Sequence, residues 1–331
     1  MQVETGERNG RRREIGPLTG PSAPDETIAV RRDGVVVGRC SCWWRHTPRH
    51  AGARTGFIGH YTANDAVAGT KLLSDACDIL ARAGCEIAIG PIDGSTWHRY
   101  RFIVDRGAEP TFFLEPDSPA GWPGHWTALG FSPLATYTSA LTERLDLEPV
   151  AIPRAMRRLA AAGISIRSLD VSRIDDELRR LFGLSKRSFR RNFLYSPIGV
   201  DEFHQQYAAL MPAVRPELVL LAERADNLVG FVLAVPDVLQ CRRTGSTDTV
   251  VVKTIAVHPN VAGAGLAGAL VARVHRRAYE LGYSRAIHAL MHDSNASRRI
   301  SDRFARPFRR YALFAKALEP AALHRGRGGT V

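Results

Sequence analysis

Lysine is almost missing from this chain. Of 45 Lys and Arg in 331 residues, only Lys71, Lys186, Lys253 and Lys316 are lysines. The rest are arginines, whose planar forks match phosphate and carboxylate oxygens better than an ammonium does. Cysteine is also scarce, with five residues. An odd handful in a chain this long excludes a disulfide-stapled mini-domain and points to reduced thiols in a cytoplasmic setting. Cys40 and Cys42 have no Cys or His partner at zinc spacing, so they read as strand residues and no metal site is expected. No apolar run approaches the roughly 18–20 residues of a membrane span, and no membrane partner is expected. The N-terminus is polar and Arg-rich with no apolar segment behind it, unlike a secretory leader. Acidic residues are the minority at 33, which leaves a net charge of +12. A G+C-rich coding bias explains arginine in place of lysine. It does not explain the surplus of positive charge, so a phosphate-rich partner stays open.

What is present is ordinary for a globular protein: 45% hydrophobic and 24% charged residues, in a length that suits about two domains. Residues 1–25 are rich in Gly, Pro and Arg without periodicity and read as a flexible arm. From Thr27 the pattern is strand, Asp33-Gly34 turn, strand, then the strand TGFIGHY. Leu72, Leu73, Ala76, Ile79 and Leu80 follow at helical spacing, stopped by Gly84. CEIAIG is a buried strand, followed by the loop PIDGSTWHRYR, a Trp/Pro-rich stretch and the strand SPLATYTSAL. Residues 142–163 read as a linker and a helix.

A second set then begins. ISIRSLD is a strand, and IDDELRRLFGLSKRSFR is a helix with three acids at its positive N-terminal end. A further helix, a hairpin over Asp226-Asn227, the strand DTVVVKTIAVHP, a Gly-opened helix, the strand YSRAIHALM, a polar loop and YALFAKAL complete it. Strand, His60, helix, Gly84, strand, Asp93 in the first set match strand, His258, helix, Gly282, strand, Asp293 in the second. A constant offset near 200 residues argues for duplication. The expected fold is therefore α/β in two tandem halves, 26–150 and 151–331, each with its own mixed, mostly antiparallel sheet flanked by helices. A cleft is expected between them.

The chemistry concentrates in VVVKTIAVHPNVAGAGLAGAL, residues 250–270. A strand ends at Val257-His258-Pro259, and a glycine loop opens a helix directly after it. Gly263 and Gly265 let a ligand approach the backbone, and the helix's first free N–H groups then face it with the positive dipole end behind them. This is an anion cradle, although a glycine pair at a helix start also serves tight packing. A dinucleotide-binding reading fits less well, because no ribose-binding acid follows about twenty residues on.

On these residues the sequence resembles the GNAT superfamily of N-acyltransferases, most of it over 164–318 and more weakly over 27–141. Asn260-Val261-Ala262-Gly263-Ala264-Gly265 matches the glycines of the family's donor signature, with Asn260 where Gln or Arg is usual. The resemblance implies a donor site formed by Ile255, Ala256 and Val257 of the strand, by Asn260, Gly263, Ala264 and Gly265, and by Asn295 and Ser297 on the next loop. Strand N–H groups would hold the donor carbonyl and its developing oxyanion. The family's strand acid is replaced by Lys253 and Thr254, and Asp302 stands near the place of its tyrosine acid. Lys253, His258, His292 and Asp293 are therefore the candidate catalytic groups, with His258 also readable as a structural residue and Tyr311 as a core strand residue. In the first half Thr62-Ala63-Asn64-Asp65-Ala66-Val67-Ala68-Gly69 lacks the G-x-G and puts an acid where an anion would sit, so no donor is expected there. The loop Trp97-His98-Arg99-Tyr100-Arg101 reads either as a wall of the acceptor cleft or as packing between the halves.

Two basic stretches complete the reading: Lys186, Arg187, Arg190 and Arg191, and Arg298, Arg299, Arg303, Arg306, Arg309 and Arg310. Both are candidates for phosphate contacts around the donor, or for solvated faces. The implied reaction is amide-forming transfer of an acyl or aminoacyl group to a small-molecule amine. No permanent cofactor is implied. The co-substrate is aminoacyl-tRNA, slightly favoured by the charge, or acyl-CoA. A non-catalytic RNA-binding module on the same fold is the rival from another class.

Overall fold

The computed structural model describes residues 23–319. The first half runs β1 (Glu26–Arg32), β2 (Val35–Trp43), β3 (Thr55–Ala63), α1 (Ala66–Arg82), β4 (Ile87–Gly90), β5 (Phe102–Asp105), α2 (Trp122–Ala128) and β6 (Ser132–Thr142). The second begins with α3 (Ala151–Ala161), β7 (Ile164–Ser168), α4 (Ile174–Phe189), α5 (Val200–Leu210), β8 (Val219–Arg224) and β9 (Asn227–Pro236). It continues with α6 (Val238–Thr244), β10 (Thr249–Val257), α7 (Leu266–Glu280), β11 (Arg285–His292), α8 (Ala296–Ser301) and β12 (Arg306–Ala317). Most of the arm expected at 1–25, its arginines included, lies outside the described residues. Among the described residues no helix is long and apolar enough to cross a membrane.

Local chemistry explains these elements. Asp33 and Gly34 take φ of 50° and 81°, as a two-residue hairpin turn requires, and β1 pairs with β2 across them. The β8–β9 turn falls one residue earlier than its sequence suggested, with Ala225 and Asp226 at positive φ. Helices α1 and α7 both run into a left-handed glycine, Gly84 and Gly282, that ends them. Three short helices were not foreseen. α2 lies in the Trp/Pro-rich stretch with a proline in its first turn. α6 is capped by Asp237, which accepts from the Leu239 and Gln240 amides. α8 lies in the supposed polar loop.

The α/β class with a mixed, helix-flanked sheet stands, but the two halves do not own separate sheets. All twelve strands form one sheet in the order β1-β2-β3-β4-β12-β6-β11-β10-β9-β8-β7, with β5 also pairing β12. The halves have exchanged strands. β6, from the first half, lies between β12 and β11, and β12, from the second, lies between β4 and β6. The cut near residue 150 therefore falls in the connection between β6 and α3 without marking a physical separation. β6 and β12 are each buried on both faces through their middle residues, which suits any interior place in a sheet, so local pattern gives no sign of the exchange.

The core follows the two faces of the sheet. In the second half one face packs Val250, Val252, Val232 and Ala234 against Leu266, Leu270 and Val274 of α7. The other packs Val251, Phe231 and Val235 against Leu181 and Leu184 of α4 and Phe203 of α5. Each Val, Leu or Phe side chain so removed from water contributes about 1.5–3 kcal/mol. In the first half α1 and α2 cover one face, with Trp126 fully buried. The opposite face, Trp43, Phe57, Tyr137 and Tyr311, is closed by Phe193 and Leu194 from the second half.

Candidate active site

The site starts from a strand pair that comes apart. β10 and β11 run parallel through only four pairs, Thr249↔Arg285 to Val252↔His288. Lys253 then occupies an irregularity in the pairing of β10 with β9, and Leu290, at φ 61°, interrupts the pairing of β11 with β6. Beyond these points β10 keeps β9 and β11 keeps β6, so a seam opens between them. The His258 amide donates to the Val229 carbonyl at 2.8 Å on the β9 side. Strand alternation then turns the backbone groups of Ile255 and Val257 toward the seam. Val257 O agrees, accepting from Ser188 Oγ of α4 at 3.1 Å across it.

At the end of the seam lies the start of α7. Its N-cap is Gly265 at φ 87°, with no side-chain cap, so the first-turn N–H groups have no side chain reaching back to them. Gly263 is also left-handed, and a Cβ there would meet nothing within 4 Å. At Gly265 a Cβ would come within 3.2 Å of Ala155 Cβ, so α3 packs over the loop on that side. α3 also brings Arg158, whose Nη2 lies 3.7 Å from that Cβ position. Arg158 was not foreseen, because only the packing of α3 on α7 places it beside the loop. Asn260, exposed, leads into the loop, and Ala264 lies between the two glycines. Asn295 is the N-cap of α8 without using its side chain for capping, which leaves its amide available, and Ser297 is half-buried on the same helix.

The face covered by α4 and α5 carries the titratable groups. Lys253 is an exposed residue of β10 with many protein atoms around its side chain, its Nζ 5.8 Å from the Tyr207 ring. Burial among these groups, with the Arg101 charge adding to it, lowers its pKa below the usual lysine value. Tyr207 is pushed up to about 12 by burial. His292 Nδ1 accepts from the Ser294 amide at 3.1 Å, which places the proton of the neutral ring on Nε2. Burial lowers its pKa, and Arg101 adds to the effect while Asp293 opposes it. Asp293 is held by the hydroxyls of Thr136 and Thr138 at 2.6 and 2.7 Å. His258 Nδ1 accepts from the Asn260 amide at 3.2 Å and so ties the turn Pro259–Val261.

Residues 178–304 match the model of the acetyltransferase (GNAT) family. The second half carries a GNAT acetyltransferase domain. That domain is of the acyltransferase type. No curated protein matches it. Three of the solved structures that share the fold illustrate the range. A GCN5-related N-acetyltransferase from Sphaerobacter thermophilus is 17% identical with TM-score 0.51, over 89% of this chain and 82% of that one. A tandem GNAT protein from the clavulanic acid biosynthesis pathway is 14% identical with TM-score 0.50, over 90% and 86%. A glucosamine N-acetyltransferase region of a fungal multi-domain GH3 enzyme is 12% identical with TM-score 0.53, over 86% of this chain but 32% of the longer one.

Around the GNAT domain the two basic stretches behave differently. Lys186, Arg187, Arg190 and Arg191 are exposed at the end of α4, beside the Ser188 contact to the seam. The second stretch is not one face. Arg309 is buried and paired with Glu115 of the first half at 2.5 Å, and Arg298 is paired with Asp302 one turn along. Arg299 is exposed. Tyr311 is fully buried in β12, its hydroxyl donating to Glu115 and lying 3.0 Å from Ser139 Oγ, whose oxygen accepts the Leu290 amide at 3.0 Å.

The loop before β5 joins the first half to the GNAT domain. Trp97 Nε1 donates to Ser196 O at 2.9 Å, His98 lies 2.7 Å from Glu202, and Arg101 Nη1 donates to Leu290 O at 3.2 Å. In the first half itself Asp65 caps α1, accepting from the Ala68 amide at 2.8 Å and pairing with Arg32. The Arg32 guanidinium, then that amide, hold its carboxyl below the usual range, so a negative charge occupies the helix start.

Proposed function

We propose that the protein is an amide-forming N-acyltransferase that takes its acyl group from acyl-CoA and passes it to the amine of a small molecule. The seam carries this reading. Backbone groups of Ile255 and Val257 are turned toward a gap that β11 has left, and they lead to the open start of α7. The donor's extended arm would lie along β10, with Ile255 and Ala256 beside the reacting carbonyl, and its phosphates at Gly263, Ala264 and Gly265 near Arg158. Asn260, Asn295 and Ser297 would border the arm.

The amine would enter from the α4/α5 face. It attacks the thioester carbon once deprotonated, the C–N bond forms, the C–S bond breaks, and the departing thiolate takes up a proton. Seam N–H groups stabilise the oxyanion between these events. Lys253 is the group we assign to receive the amine's proton, since burial and then the Arg101 charge lower its pKa from the usual lysine value. His292 and His258 are poor bases, because a backbone amide already uses the free nitrogen of each neutral ring. Asp293, fixed by two threonine hydroxyls, sets the end of β11. Calorimetry with coenzyme A tests the donor site directly: micromolar binding, lost in Gly263→Asp, is the expected result, and absence of binding overturns it.

Aminoacyl-tRNA is the second reading, favoured by the four exposed basic residues at the end of α4. Arg298 and Arg309, counted toward it in the sequence, have partners within the protein. Several phosphate contacts would weaken binding about tenfold or more between low and physiological salt. Product formation that survives RNase eliminates this donor. Tight, salt-sensitive RNA binding without product from any donor supports the non-catalytic module instead.

A further inference from the structure

Arg101 is a buried cation to which the fold gives no acid. It is 7% exposed and sits at φ 68°, a left-handed conformation that a non-glycine residue adopts at a cost. Its guanidinium lies 3.9 Å from the centre of the Tyr100 ring and 4.3 Å from that of Tyr137. Nη1 reaches Leu290 O, and Nε is enclosed without a partner. Other buried charges here are matched: Arg309 by Glu115, Glu177 by Arg167 and Arg180. Among the described residues Arg101 makes no ion pair. An enclosed cation left in this state is unfavourable unless an anion joins it for part of the protein's working cycle.

The surroundings repeat the pattern. Arg101 lines a cavity of about 290 Å³ with His60, Asp93, Arg99, Tyr100 and Trp122. Of its acids, Asp93 is already engaged by the His60 amide at 2.6 Å. On the other side of Tyr137, whose ring centre is 4.9 Å from that of His292, the protonated Nε2 of His292 is likewise enclosed and unpartnered. Asp293 is held by its two threonines. Through Leu290 the Arg101 side chain touches the strand that bounds the seam, and so links the cavity's wall to the second half.

We propose that the acceptor is an amino acid-like molecule whose carboxylate is bound by Arg101 at this cavity, with aromatic rings as its walls. The inference rests on the acyl-transfer reading and names the substrate class for it. The first half, without a donor of its own, then supplies the acceptor's anchor. An enclosed Arg–carboxylate pair of this kind discriminates by charge and shape together.

The test uses the full chain and four matched pairs of probes: tyrosine and tyramine, phenylalanine and phenethylamine, histidine and histamine, lysine and cadaverine. Coenzyme A binding is measured first by calorimetry and reports the donor site alone. Acceptor binding is then followed by ligand-observed NMR with and without coenzyme A. In at least one pair the carboxylate-bearing member is expected to bind roughly tenfold tighter. Arg101→Gln is expected to erase that preference while the affinities for the decarboxylated partner and for coenzyme A stay unchanged. Should Arg101→Gln fail to fold, Arg99→Glu, at an exposed position of the same wall, is expected to reduce the preference severalfold. Four pairs without a preference, or a preference that survives both substitutions, overturn the proposal. Loss of coenzyme A binding with the carboxylate preference intact would sink the donor reading and leave the cavity's assignment standing.

Discussion

The two strand–helix–strand units are built on one plan and finished in opposite ways. β3 and β4 run parallel through three pairs and then diverge, as β10 and β11 do after four. In the first unit the divergence is stitched shut. The Ile92 amide donates to Ile58 O, the His60 amide donates to Asp93, and a Cβ on Gly59 would lie 2.2 Å from Ile92 O. Its helix start is occupied by Asp65. In the second unit the seam stays open, Gly263 faces empty space, and α7 begins without a side-chain cap. On one plan, then, the second unit leaves backbone groups and space unfilled where the first fills them with the protein's own atoms.

The strongest way to break this contrast is to copy the first unit's acid into the second. Gly263→Asp, at a position where aspartate tolerates the left-handed backbone better than most residues, is expected to weaken coenzyme A binding on the order of a hundredfold. Calorimetry reads the affinity and circular dichroism confirms the fold. Unchanged affinity would remove the cradle from α7.

The units also differ in their response to acid. His275 of α7 and His288 of β11 are buried with Nε2 atoms 2.9 Å apart, whereas Cys77, seven residues before Gly84 as His275 is before Gly282, takes the equivalent place on α1. Burial lowers both histidines, His288 to about 4, and His288 pushes His275 down further. The unfolded chain therefore binds protons below the ordinary histidine value near 6.5 that the folded chain refuses. Their contribution is complete above that value and falls as pH drops toward 4, at up to about 1.4 kcal/mol per pH unit for each proton. Melting temperature is expected to decline from pH 7 to 4.5, and less steeply in His288→Gln.

Asp65→Ala sharpens the comparison from the other side. It removes a helix cap worth about 1 kcal/mol, which urea denaturation reads, and is expected to leave coenzyme A affinity unchanged. The smallest effect tests whether the first half reaches into the second unit. Arg101→Gln takes a positive charge from the neighbourhood of Lys253, so the Lys253 pKa should rise when its titration is followed by NMR. A fall or no change would separate the two residues.

The duplication, the strand–helix–strand units and the open glycine loop were legible because each is a local pattern: period two, period 3.6, and glycines at a helix start. The filled helix start of the first unit was legible too, since Asp65 stands in the chain where the cap would be. The exchange of β6 and β12 was not, because a strand buried on both faces carries no mark of its neighbours. Arg309 illustrates the same limit. In Phe308-Arg309-Arg310-Tyr311 one of two adjacent arginines had to point inward, but which one depended on Glu115, almost two hundred residues away. Arg158 and Arg101 became site residues only through α3 packing on α7 and a first-half loop reaching Leu290.

The strand exchange also sets an order of events during synthesis. β4 and β5 have β12 as a neighbour, so the middle of the first half stays unfinished until residues 306–317 have been made. These pairings close loops of roughly two hundred residues, whose entropy is lost before the contacts form, and such topologies fold slowly. Until then the edges of β4 and β6 are bare templates for pairing with another chain. A nascent chain halted before residue 306 would thus expose them together, so the last strand acts as the clasp that turns two open edges into one sheet.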